Sequence, residues 1–268
     1  MRVAGNIVAH KLQALRKAAR PGVTTAYLND IAHKAVIERG AKPNFLGYAG
    51  FPGSVCISVN EEIVHGIPGE RVLQPGDIVS FDGGAVIELD GKPWHGDAAI
   101  TVVLDGGDPE VTKRRRELSA MTEKAMWAGI AAAAQARRVG DIGAAIERDV
   151  IASADTYGWE ADIVEGYTGH GIGNALHEDP EVYNYRTRTR GPRVLPGTVI
   201  CIEPMLVAGD AATTVLEDDW TVVTVSGADA AHWEQTVAIG ESGISVLTSL
   251  DAGAAGLAPY GISPVTHF

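Results

Sequence analysis

At 268 residues, with 46% hydrophobic and 21% charged side chains, the chain has the composition of a globular protein with a large core, in one large domain or two modest ones. A formal net charge of −12 argues against sequence-independent nucleic-acid binding, which depends on Lys and Arg neutralising phosphates. Cys56 and Cys201 form no CxxC pair or disulfide framework, and no apolar run reaches the roughly 18 residues of a membrane span, so a reducing cytoplasm is expected rather than export.

The N-terminus (Gly5 to Arg16) has amphipathic helical spacing and not the pattern of a signal peptide. Apolar periodicity predicts helices over Val8–Ala19 and Tyr27–Arg39, divided by Arg20-Pro21-Gly22. Residues 54–60 and 78–104 are β-rich, with Asp90-Gly91 a turn between Ile78–Leu89 and Lys92–Leu104. A long helix is expected over Val111–Arg137, its basic run Lys113–Arg116 forming a solvated start. It breaks at Val139-Gly140, and a second helix follows over Ile142–Tyr157. From Asp162 the pattern is strands and loops, with strands at Val199–Glu203, Trp220–Val225 and Glu234–Ile239. Each half therefore reads helix, helix, strands, which predicts one α+β domain over 1–248 with two pseudo-symmetric halves. Residues 249–268, rich in Gly, Ala and Pro, are expected to be a wrapping or loosely ordered tail.

One phrase occurs twice. Pro75-Gly76 leads through a β-branched strand to Asp82, and Pro196-Gly197 leads the same way to Glu203, 121 positions on. Each acid has a His-Gly-Ile upstream (His65, His170) and another acid downstream in aromatic and His company (Asp97, Glu234). If Asp90-Gly91 is a two-residue hairpin turn, Leu89 faces Lys92 and Asp82 faces Ala99. Asp97 is then diagonal to Asp82 on the same sheet face. Four converging carboxylates repel one another, and their charge balances two divalent cations. A carboxylate-rich set with one His, His170 between glycines, suits two Mn, Fe, Co or Zn ions rather than a structural zinc or a calcium loop. Such a pair makes hydroxide from water near neutral pH, so metal-assisted hydrolysis is the expected reaction. No GxSxG elbow, P-loop or HExxH competes, and Gly169-His170-Gly171-Ile172-Gly173 lacks dinucleotide spacing.

These residues resemble the type I methionine aminopeptidases, of the pita-bread metallopeptidase family M24, from Met1-Arg2-Val3-Ala4-Gly5 to Ile244–Thr248. The resemblance rests on Leu46-Gly47-Tyr48, Ser54–Asn60, Val64–Pro68, Trp94–Asp97, Gly169–Gly173, His177–Pro180, Ile202–Met205 and Trp220-Thr221-Val222. It implies a curved antiparallel sheet with helices on its outer face. It implies that Asp82, Asp97, His170, Glu203 and Glu234 ligate two metal ions, with Asp97 and Glu234 bridging. It further implies that His65 and His177 contact substrate, that Glu203 shuttles the proton, and that Tyr48, Phe51, Cys56 and Trp220 line the methionine pocket. The implied activity is removal of the initiator methionine from nascent chains and peptides with a small second residue, by a cytoplasmic monomer. The sequence has no N-terminal docking extension, so any ribosome contact is expected through the catalytic domain. Gln235 and Ala49 stand where the family usually has His, and Leu176 where it usually has Phe. Gln235 is expected to alter the surroundings of Glu234, and the longer turn Gly91–Trp94 to shift Asp97. Two rivals are a proline-specific peptidase of the same fold, which carries a substantial N-terminal domain, and a non-catalytic pita-bread binding module, which typically loses ligands.

Overall fold

The computed structural model describes residues 1–266. Helix α1 (Arg2–Ala18) buries Val8, Leu12 and Leu15 along one stripe. It begins at Arg2 rather than Val8 because Gly5 lets its first turn press on the chain end: a Cβ there would lie 2.2 Å from the Leu247 carbonyl oxygen. Helix α2 (Thr25–Ile37) is capped by Thr24, whose hydroxyl accepts the Tyr27 N–H at 3.1 Å. The strands of the first half are β1 (Cys56–Val59), β2 (Glu62–Val64), β3 (Ile78–Asp82), β4 (Ala85–Leu89), β5 (Lys92–Gly96) and β6 (Ala98–Val103).

The second half opens with α3 (Pro109–Ala133), capped by Asp108, and α4 (Gly140–Tyr157). The α3 helix stops short of the expected Arg137, because the Asp141 carboxylate draws in the N–H groups of Arg137 and Arg138 and bends the chain. There follow β7 (Asp162–Ile163), β8 (Gly169–Gly171), β9 (Glu178–Val182), β10 (Val199–Ile202), β11 (Met205–Val207), β12 (Thr213–Val215), β13 (Val222–Thr224), β14 (Ala230–His232), β15 (Glu234–Gly240) and β16 (Gly243–Val246). Several of these strands are only two or three residues long, too short to show a period in the sequence.

The main sheet runs β1-β3-β6-β15-β10-β8-β9, with β16 also on β15 and every pairing antiparallel. Its order is a palindrome: β1, β3 and β6 of one half answer to β8, β10 and β15 of the other. The duplicated phrase supplies β3 and β10, and the seam between the halves is β6·β15. Helix α1 packs on β4, β5 and β6, and α3 on β6, β15 and β10. The core, including Leu15, Phe81, Leu118, Met121 and Val237, fills the space between. The expected α+β arrangement of two helix–helix–strand halves is therefore present.

Two local expectations change. In the basic run, Arg115 is not solvated: its guanidinium clamps Asp229 through two hydrogen bonds of 2.8 and 2.7 Å and donates to the Gly76 carbonyl, while Arg114 stacks over Trp159. Beyond Leu250, a short helix α5 (Ala254–Leu257) and a 3₁₀ turn follow. Leu257 is buried, and a Cβ on Gly256 would lie 2.2 Å from the Trp127 indole of α3. The last two residues of the predicted tail lie outside the described residues.

Candidate metal centre

The hairpin register is the one expected, with Leu89↔Lys92 and Asp82↔Ala99, and it continues to Ile78↔Val103. The longer turn does not displace Asp97. On its other edge β6 pairs with β15 at Ala99↔Glu234. Asp82, Ala99 and Glu234 therefore stand in one row across three strands with their side chains on one face. Asp97, two residues from Ala99, faces the same way. The middle of the row is a methyl group, so nothing fills the space between the acids. One oxygen from each of Asp82, Asp97 and Glu234 lies within 4.8 Å of the others. Asp97 is held in place by Thr236, whose hydroxyl accepts the Asp97 N–H at 3.1 Å and donates to its carbonyl at 2.7 Å.

The second half adds an acid and an imidazole. Glu203 follows β10, and its Oε1 lies 3.5 Å from His170 Nε2. His170 sits in β8 between glycines that permit backbone contact on both sides: a Cβ on Gly169 would lie 2.2 Å from Cys201 O, and one on Gly171 2.1 Å from Asp179 O. His170 Nδ1 is 2.8 Å from the Gly171 carbonyl, which can only accept, so Nδ1 carries the proton. The lone pair of Nε2 is left facing Glu203.

Burial and mutual repulsion shape the charges. Burial first, then Asp82 and Asp97, pushes the Glu203 carboxyl well above the usual range; burial, then Glu203 and Asp82, does the same for Glu234. Asp97 rises with burial and the charge of Glu234, and Asp82 is pushed up to about 7 by burial. Burial also holds His170 neutral, with its pKa lowered to about 4. Asp82 Oδ1, Asp97 Oδ1, Glu203 Oε1 and Glu234 Oε1 are buried with no hydrogen-bond partner among the described residues, a costly state for acceptors of this kind. Oxygen donors without partners, beside a neutral imidazole lone pair, fit divalent cations.

The acids floor a cleft of about 730 Å³ that all the residues proposed from the sequence line. Tyr48 Oη lies 2.8 Å from His177 Nδ1, and the His177 ring is 4.3 Å from that of His170. Phe51 and Trp220 meet edge to face at 5.1 Å, and Cys56 is paired with Asp82 across β1 and β3. His65 reaches the cleft from the end of β2 on a left-handed backbone (φ 62°), rare for a residue with a Cβ. Its twinning with His170 is not preserved in the sheet. Gly171 pairs with Ile200, and the matching first-half pair is Val59 with Val79, so β1 holds the place that β8 gives to His170. The Gln235 expectation also changes: alternation turns its side chain to the face opposite Glu234, where it accepts a hydrogen bond from the Thr248 hydroxyl.

Three residues near the acids were not anticipated. His232 is buried, its Nε2 3.8 Å from Glu203 Oε2, and burial lowers its pKa to about 3. The shared spacing of His95-Gly96-Asp97 and His232-Trp233-Glu234 was the available signal. Cys201 Sγ comes within 4.8 Å of ligand atoms of both His170 and Glu234. Lys11 is fully buried on the apolar stripe of α1, its Nζ donating to the Gly84 carbonyl at 3.0 Å.

Buried carboxylates and one free imidazole lone pair, gathered at the seam of a duplicated antiparallel sheet, define a metal-dependent hydrolase. A family profile for metallopeptidase family M24 matches residues 1–241, and the chain belongs to that family. It is 47% identical to methionine aminopeptidase 1 of Mycobacterium tuberculosis over 92% of this chain and 91% of that one. Among solved structures, methionine aminopeptidase from Thermotoga maritima superposes with a TM-score of 0.84 at 37% identity, covering 93% of this chain and 95% of that one. Prolidase from Pyrococcus furiosus, at 20% identity and a TM-score of 0.69, shares the pita-bread fold, and the match covers 62% of its chain.

Proposed function

We propose that the cleft hydrolyses the first peptide bond of chains that begin with methionine, using two divalent cations that Asp82, Asp97, His170, Glu203 and Glu234 would hold. The observation that carries this reading is the row of buried carboxylates with unpartnered oxygens, opening directly into an aromatic cleft. Cations such as Co, Mn, Fe or Zn supply Lewis acidity and lower the pKa of water.

The side chains divide the remaining work. Glu203, its carboxyl raised by burial and by neighbouring acids, accepts a proton from the attacking water and delivers it to the departing amine nitrogen. His177, oriented by Tyr48, lies over the scissile amide, and His65 binds the backbone of the departing peptide. Phe51, Trp220, Tyr48 and Cys56 receive the methionine side chain, whose flexible thioether suits aromatic walls. The chains accepted are those whose second residue is small. The setting is the cytoplasm, on chains leaving the ribosome, and no helix among the described residues is long and apolar enough to cross a membrane.

The test is a panel of Met-X peptides assayed after chelation and after return of each metal. Methionine release from Met-Ala-peptide only when metal is restored supports the reading; release that survives chelation would falsify it. Cleavage of an Xaa-Pro peptide whose first residue is not methionine distinguishes the rival specificity, and absence of any cleavage indicates a binding module.

A further inference from the structure

Lys11 is a lysine where the α1 stripe calls for an apolar residue, and it is completely buried. Its Nζ passes over two residues that have no side chains. A Cβ built on Gly83 would lie 2.4 Å from Nζ, and Gly84 supplies the accepting carbonyl at 3.0 Å. These glycines directly follow Asp82, and Gly84 lies across the hairpin from Asp97 in the same register. A buried ammonium with one hydrogen bond persists only where anions compensate it. The groups that hold up its charge against burial are Asp97 first, then Asp82, then Cys56 and Glu234; burial still lowers its pKa to about 8. In return Lys11 lowers the pKa of Asp82, Asp97 and Glu234.

We propose that Lys11 is a resident internal cation for the Asp82–Asp97 end of the acid cluster, and that it weakens the metal position at that end. Lys11 is a positioning residue: it acts on the ions through the carboxylates and touches no substrate. The inference rests on the dinuclear reading above and adds to it a fixed positive charge at one end.

The experiment titrates the chelated full-length protein with Mn(II) and follows free Mn(II) by electron paramagnetic resonance, so no turnover is needed. In the parent protein the second ion binds more weakly than the first. In Lys11→Met the second ion is expected to tighten by about tenfold, the order of effect of one unit charge through protein, with the first changed less than about threefold. Lys11→Arg, which keeps the charge, should keep the weak second step. Lys11→Gln, neutral but able to donate to Gly84, should behave as Lys11→Met and serves if the Met variant does not fold. Neutral variants that titrate like the parent, or that tighten both ions equally, overturn the proposal. So does an Arg variant with a tightened second ion, which would assign the effect to packing. A parent protein that binds no Mn(II) overturns the dinuclear reading itself, a result distinct from an unchanged second step.

Discussion

Ala99 occupies the central place in the row of acids, and its side chain is completely buried. A methyl group there keeps Asp82 and Glu234 apart without filling the gap between them. Ala99→Leu is expected to push into that gap, lower the bound metal measured by elemental analysis, and cut turnover by about 10²-fold or more, as misplacement of about 1 Å does in other enzymes. A full metal complement in that variant would show that the row does not frame the ions. Glu203→Gln removes the proposed proton acceptor while keeping shape; turnover should vanish, and an unchanged rate would remove Glu203 from that role. His65→Ala and His177→Ala should each lower kcat/KM by about 10²-fold with metal retained, so loss of metal from the His177 variant would make it a ligand. Asp82 and Glu203 were legible as candidates because an acid ending a β-branched strand is conspicuous, and His170, Asp97 and Glu234 because they hold matching places around the two copies of the phrase. Lys11 and His232 were not, because their meaning depends on burial.

At the level of elements, β8 exists because glycines flank His170. It lies between Cys201 O on one side and Asp179 O on the other, with no room for a Cβ. Gly171→Ala should cost about 1–3 kcal/mol, measured by denaturant unfolding, since the backbone must move to admit the methyl group. A smaller cost would mean that the strand yields easily. The helices were legible by period, though their ends were set by tertiary contacts. Gly5 against Leu247 extends α1, and Asp141 drawing in the Arg137 and Arg138 amides ends α3. The hairpin register was legible because Asp90-Gly91 fixes it. The His65–His170 equivalence misled for a related reason: a tripeptide match says nothing about which strand carries it.

Across the whole molecule, folding raises the pKa of six carboxyls above their unfolded values, the four of the acid cluster together with Glu62 and Glu123, against three that it lowers, Asp141, Asp218 and Asp251. The metal-free folded chain therefore binds more protons than the unfolded chain from the usual carboxylate range upward, and its stability falls as pH rises through that window. The depressed histidines His170 and His232 work in the opposite sense, but only below about pH 6.5, where the unfolded chain takes up protons that they refuse. Cations relieve the ionised acids, so the gain in Tm on adding Mn(II) to chelated protein should be larger at pH 8 than at pH 6. A gain independent of pH would count against cations bound by these carboxyls.

The seam of the sheet carries a mechanical consequence. The ladder between halves consists of Glu234↔Ala99 and Gln235↔Ala98, with side-chain ties from Thr236 to Asp97 and from Thr101 to His232. Asp82 and Asp97 come from one half; His170, Glu203 and Glu234 come from the other. Ions held as proposed would therefore act as rivets through the joint of a folded leaf, and whatever loosened the joint would be sensed as a change in their grip. Amide hydrogen exchange along β6 and β15 would read the same event as the loss of an ion.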